Sequence, residues 1–167
     1  MTKPNILLLM DDQHHPDVLG CAGHPVVKTP NIDRLAEEGV YLRNTYCPEP
    51  LCTPARVSFL TGRYSHSNGI SDNKTRLSDD QKTFLPDLQA AGYHTCHIGK
   101  THLALGAPVY TEEGQNRLQA FGFTENIATA GKMDASIPAN QDPYAQTLRE
   151  KGVFETFTND YAERRAD

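Results

Sequence analysis

The sequence has no apolar run of about 18 residues, the length a bilayer-spanning helix needs, so no membrane partner is expected. The apolar stretch Asn5-Ile-Leu-Leu-Leu-Met10 is too short for the hydrophobic region of a secretory signal and runs straight into Asp11-Asp12. A cytoplasmic chain is therefore expected, with a periplasmic or secreted one only if the N-terminus is incomplete. Basic charge is also in short supply: 16 Lys and Arg stand against 21 Asp and Glu, a formal net charge of −5. A general nucleic-acid partner, which needs a basic face to displace counterions, is excluded, while a local basic site is not. Cysteine is scarce as well. Cys21, Cys47, Cys52 and Cys96 define no connectivity, and reduced thiols are expected. No repeat, low-complexity tract or clear linker divides the chain. With 38% apolar and 22% charged residues among 167, one domain with its own core is the default.

The pattern along the chain predicts alternating strands and helices. Asn5 to Met10, bounded by Pro4 and the two aspartates, has the continuous apolar character of a strand buried on both faces of a parallel sheet. Thr29-Pro30 supplies an N-cap and a proline at the first helical position; Ile32, Leu35 and Ala36 follow at helical spacing, and Gly39 closes the helix. Val40 to Tyr46 alternates as a strand does. Cys52 stands at the expected start of a second helix. Thr83 to Ala91 reads as a short amphipathic helix stopped by Gly92, and Tyr93 to Ile98 as a strand leading into Gly99-Lys100-Thr101-His102. Further on, Phe121 to Ile127 is read as a strand, Asp142-Pro143 as the cap of a helix ending near Gly152, and Asn159 as the beginning of another. The sum is an α/β fold, a mostly parallel sheet flanked by helices. In such sheets ligands bind beyond the carboxyl ends of the strands, where Asp11-Asp12, Cys52 and Lys100 to His102 could meet.

Each of these residues has an ordinary reading beside a chemical one. Adjacent carboxylates at a strand end suit a hard divalent cation, yet aspartate is routine in turns and caps. Cys52 is a buried small hydrophobe, a zinc thiolate or a reactive centre. Zinc is poorly supported, because Cys47 and Cys52 have four residues between them and no second cysteine pair follows at finger spacing. Arg56, one turn further on, and a helix N-terminus both favour negative charge at Cys52, so burial and reactivity weigh about equally. Lys100 and His102 would face the same side if the chain stayed extended, and a cation beside an imidazole suits an anion losing an alcohol. Singly, each is better read as a solvated surface residue. The same holds for His14, His15, His24, His66, His94 and His97, although His14 and His15 follow the aspartates closely enough to line the same cleft.

Taken together and in order, four elements change this balance. They are Pro4-Asn5-Ile6 leading to Asp11-Asp12; Thr29-Pro-Asn-Ile-Asp-Arg-Leu-Ala36; Cys52-Thr-Pro-Ala-Arg56 continuing to Leu60-Thr-Gly-Arg63; and Gly92-Tyr-His-Thr95 through Ile98-Gly-Lys-Thr-His102. With them the chain resembles the N-terminal part of the formylglycine-dependent sulfatases of the alkaline-phosphatase-like superfamily, over roughly residues 4 to 102. The resemblance implies that Cys52 is oxidised to formylglycine by a maturation enzyme, and that the hydrated aldehyde attacks a sulfate ester. It further implies that Asp11, Asp12 and the modified Cys52 hold a divalent cation, usually Ca2+, as Lewis acid and template. Arg56 would steady the diol, Lys100 would bind sulfate, and His102 would assist elimination. The substrate would be a small sulfate ester or a sugar sulfate.

Family members are much longer, and residues 103 to 167 contain no recognisable second metal pair; Gln141-Asp142 and Asn159-Asp160 have suitable types without the context. Two carboxylates fall short of the six to eight oxygens calcium takes. Residues 1–167 are thus expected to be the N-terminal portion of a catalytic domain, with uncovered sheet surface, little activity in isolation and a tendency to associate. The alternatives are a phosphonate or phosphodiester hydrolase of the same superfamily and a fragment that binds without catalysing.

Overall fold

A computed structural model of the protein describes residues 3–103 and 106–166. The chain forms two compact units, Met1–Tyr46 and Cys47–Asp167.

The first unit is organised around α1 (Pro30–Glu38), which carries its proline in the first turn, where a missing N–H costs nothing. Thr29 does not cap the helix as the sequence suggests. Its hydroxyl instead donates to Asp33 Oδ1 at 2.7 Å and accepts from the Gly20 N–H at 2.8 Å, while Asp33 Oδ1 also takes the Cys21 N–H at 2.7 Å. A side chain at position 20 would meet that carboxylate and push it off these hydrogen bonds. The Thr29 hydrogen bond, helped by Cys21, holds the Asp33 carboxyl below the usual carboxylate range.

The expected strands at residues 5–10 and 40–46 are not formed. Leu7 and Leu9 are about 80% exposed (81% and 79%), as are Val40 at 84% and Leu42 at 71%. A strand needs a hydrogen-bonded neighbour, and the first unit offers none among its described residues.

The second unit runs α2 (Cys52–Thr61), α3 (Ser65–Asn68), α4 (Leu85–Ala90), β1 (Cys96–Lys100), α5 (Glu112–Ala120), β2 (Glu125–Thr129), α6 (Lys132–Ala135), α7 (Pro143–Glu150) and α8 (Phe154–Ala166). The two strands are parallel, in register from Cys96 opposite Glu125 to Lys100 opposite Thr129. Parallel pairing demands a long crossover, and α5 is its helix. Val57 of α2, Leu85 of α4 and Leu118 of α5 meet Phe121, Phe123 and Ala128 in one core, which Ile70, Leu77 and Leu103 complete. The opposite sheet face is open: the register partners Ile98 and Ile127 are 73% and 42% exposed. Among the described residues no helix is long and apolar enough to cross a membrane.

Both strands start later than the sequence suggests. Phe121 and Gly122 still close α5, with the Phe121 N–H on the Arg117 carbonyl and Gly122 at φ +102°, so β2 begins only at Glu125. Before β1, the Thr95 hydroxyl is spent on the Gly122 carbonyl at 2.7 Å, joining the two strand entrances. Helix α5 escapes the sequence pattern because EEGQNRLQA has Leu118 as its one large apolar residue and so shows no apolar periodicity; Thr111 caps it by accepting the Gly114 N–H. Asp142 caps α7 as expected, accepting from Ala145 N at 2.7 Å with one oxygen and from Ala130 N at 2.9 Å with the other, which ties α7 to the end of β2.

Candidate active site

Cys52 is the first residue of α2 and is half-buried. Two features of the sequence put it there. Pro54 sits within the first turn, where N–H groups have no helical acceptor in any case. Thr53, Pro54, Val57 and Ser58 form the buried face, so the helix docks with its N-terminus fixed. The residue before the helix, Leu51, has no side-chain acceptor to offer. Asn73 supplies it from a distant loop, its Oδ1 taking the Thr53 N–H at 2.9 Å.

Lys100 is the last residue of β1, and its Nζ lies 3.6 Å from Cys52 Sγ. Two contacts aim it. Arg56, one turn along α2, donates through Nη1 to the Lys100 carbonyl at 2.5 Å and pins the strand end to the helix. Gly131, beyond β2, faces the aliphatic stem: a Cβ there would stand 3.4 Å from Lys100 Cδ, and its φ of +94° is one that glycine alone adopts readily.

His102 does not alternate with Lys100 along an extended strand. The strand stops at Lys100, and His102 takes a left-handed backbone at φ 57°, a conformation uncommon for non-glycine residues and frequent at functional sites. That turn brings its Nδ1 to 3.3 Å from the Thr53 hydroxyl, beside Cys52. Cys52, Arg56, Lys100 and His102 are thereby gathered at the junction of α2 and the β1 end. His97 lies beneath them on β1, its ring 5.2 Å from that of Phe123. Burial and then the Arg56 charge hold its pKa below the usual histidine value, and a hydrogen bond with the Lys100 backbone opposes them only in part.

Asp11 and Asp12 belong to the first unit, where the Asp11 side chain is 70% exposed and pairs with His14 Nδ1 at 3.3 Å. Among the described residues no group of three or more His, Cys, Asp or Glu side chains is placed to hold a metal ion. The donors described do not by themselves make up a calcium site.

The sequence had not pointed to Thr53, Asn73 or Gly131. Asn73 had a readable signal, since a helix preceded by leucine must find its cap elsewhere. Gly131 had none, because its constraint is a contact across the sheet end.

Comparison with known proteins agrees with this geometry. The family model Sulfatase matches residues 4–164. The chain is 45% identical over 101 residues to an N-acetylglucosamine-6-O-sulfatase of Bacteroides thetaiotaomicron, covering 60% of this chain and 18% of that protein. It is 46% identical over 111 residues to human arylsulfatase D, covering 60% and 19%. Among solved structures it superposes on a phosphonate monoester hydrolase of Agrobacterium radiobacter with a TM-score of 0.69 at 26% identity, over 92% of this chain and 30% of that one. The chain therefore spans about a fifth of the length of the curated relatives it matches. The parallel sheet flanked by helices is part of an alkaline-phosphatase-like α/β fold, and the chain belongs to the sulfatase family.

Proposed function

We propose that residues 1–167 are the nucleophile-bearing part of a sulfuric ester hydrolase, in which Cys52 is converted to formylglycine by a maturation enzyme. The observation that carries this reading is the 3.6 Å approach of the Lys100 ammonium to the Cys52 side chain, in a chain that matches the sulfatase model almost from end to end. A thiol has little use for a cation on a strand end that Arg56 pins beside it; an oxyanion has every use for it. The hydrated aldehyde supplies two oxygens, one to take the sulfuryl group as the alcohol departs and one to expel sulfate by re-forming the carbonyl.

The chain's own residues do the rest. Lys100 pairs with a sulfate oxygen and offsets the repulsion between nucleophile and anion. The dipole of α2, whose N-terminal residue is Cys52, favours the same charge. His102, held against Thr53, is placed to move the proton of the second hydroxyl. Arg56 keeps the end of β1 against α2, so that the lysine stays aimed. Asp11 and Asp12 are the carboxylates the chain offers a divalent cation such as Ca2+, and they alone do not complete its shell.

Sulfate binding tests the reading, followed by the amide NMR shifts of Cys52, Thr53 and Lys100 in chain carrying the aldehyde. Saturable binding that falls about tenfold or more in Lys100→Ala is expected, the scale of a lost charge-assisted hydrogen bond. Shifts indifferent to sulfate would overturn it. The superposition on a phosphonate monoester hydrolase over 92% of the chain favours a second reading, hydrolysis at phosphorus. Rates of the host-made protein on 4-nitrophenyl sulfate and on a phenyl phosphonate ester separate the two.

A further inference from the structure

His97 precedes Lys100 on β1 and is half-buried. Its ring lies 5.2 Å from that of Phe123 with 54° between the planes, so it packs against a residue of the core. Its Nδ1 is buried and has no hydrogen-bond partner among the described residues. The nitrogen bonded to the Lys100 backbone is therefore Nε2, and because that bond favours the protonated ring, the ring donates and the Lys100 carbonyl accepts. On a straight strand, residues three apart lie about 10 Å from each other, beyond the reach of an imidazole. Gly99, between the two, departs from strand geometry at φ +108°, a conformation glycine adopts readily.

The Lys100 carbonyl thus has two donors, Arg56 Nη1 from α2 at 2.5 Å and His97 from its own strand. A carbonyl oxygen has two lone pairs, so both bonds fit. The two supports differ in stiffness. Arg56 reaches the carbonyl on a long stem with many rotamers, whereas the imidazole has two torsions and is held against Phe123. A protonated ring would add a cation beside Arg56 and Lys100; burial and the Arg56 charge keep it neutral at neutral pH. A neutral imidazole carries one proton, and the bond it makes decides which nitrogen holds it. We propose that His97 is a positioning residue: its Nε2–H, together with Arg56, fixes the Lys100 carbonyl and with it the place from which the ammonium reaches position 52. The proposal rests on the sulfate-ester reading and adds to it a residue that acts through Lys100 without touching the substrate.

The experiment uses the full chain carrying the aldehyde, with inorganic sulfate as the probe. Nitrogen-15 NMR of the His97 ring near neutral pH should show a bare Nδ1 and a protonated Nε2. His97→Phe keeps a ring against Phe123 and removes the donor, and it should weaken sulfate about threefold or more. His97→Gln places an amide N–H near the position of Nε2 and should restore the affinity. A packing role alone gives the reverse order, with phenylalanine as good as histidine and glutamine worse. A ring proton on Nδ1, glutamine no better than phenylalanine, or His97→Phe binding sulfate as tightly as the unchanged chain while Lys100→Ala binds it weakly, would overturn the positioning role and spare the sulfate-ester reading. Sulfate affinity unmoved by Lys100→Ala would overturn both. The tautomer is read on the unchanged chain, so it decides the matter even where His97→Phe does not fold.

Discussion

Replacing Asn73 by alanine should destabilise the second unit from a loop that touches the site at a single hydrogen bond. The Asn73 carboxamide is the acceptor for the Thr53 N–H, and Thr53 is 1% exposed, so water does not reach that N–H while α2 stays docked. An unsatisfied buried donor costs about 1–3 kcal/mol, and loss of a helix cap about 0.5–2 kcal/mol. Both describe the same bond, so they are not summed. Because Asn73 is itself exposed, partial hydration offsets part of the loss, and about 1–2 kcal/mol is expected. With a urea slope of about 2 kcal/mol per molar, the midpoint should fall by roughly 0.5–1 M. The assay is urea unfolding followed by far-ultraviolet circular dichroism. Asn73→Asp supplies the control: it keeps the acceptor and adds negative charge at a helix N-terminus, so it should restore the midpoint. A midpoint unmoved in Asn73→Ala, or an aspartate variant as weak as the alanine one, would refute the reasoning that α2 is capped from this loop.

Three further outcomes follow from the same geometry. Gly131→Ala and Gly152→Ala should both cost stability, with positive φ of +94° and +67°, and leave sulfate affinity unchanged, since the added Cβ meets the Lys100 stem at an ordinary 3.4 Å contact in the first and nothing within 4 Å in the second; isothermal titration and thermal melts of both variants check this. His97, with its pKa held below 6.5 in the folded chain, binds its proton more readily when unfolded. Its contribution therefore makes stability rise with pH across the interval from the native pKa up to about 6.5, and His97→Gln should flatten that part of a pH series of urea midpoints. Asp33 has a linkage of the same sign at lower pH, since its depressed pKa makes stability rise from the native value up to about 3.8 and the benefit is lost as pH falls back through that interval. Asp33→Asn should remove that acid dependence, read from hydrogen exchange at Gly20 and Cys21.

The relation of sequence to structure differs from element to element. Pro30, Pro54, Pro143 and the cap at Asp142 act within their own turn, and the helices they start were legible from neighbouring residues alone. Strands were legible only in part: β1 and β2 lie where strands are expected though shifted towards the C-terminus, and those expected at 5–10 and 40–46 are not formed, because a strand exists only where a partner supplies its hydrogen bonds. Asn5 to Met10 has the composition of a buried strand and no partner in its unit, while β1 and β2 have each other. The four residues Cys52, Arg56, Lys100 and His102 were named from their motifs, and the structure gathers them through contacts no local pattern reveals. The Arg56 bond to the Lys100 carbonyl spans 44 residues, and the Thr53 to His102 contact spans 49. His102 reaches its place through a left-handed backbone where alternation along a strand had been expected. Asp11 and Asp12 are legible only as carboxylates, since a cation site is defined by all its donors.

The group that stands at position 52 decides whether this site can accept a sulfuryl group. Mass spectrometry of the Cys52 peptide from protein made in its host, with a hydrazide reagent to trap carbonyls, reads this directly. An aldehyde in place of the thiol, captured as the hydrazone and absent from Cys52→Ala, is the predicted result. An unmodified thiol in protein from a host that matures other members of the family would contradict it, and with it the claim that Lys100 is poised over a sulfate-accepting nucleophile.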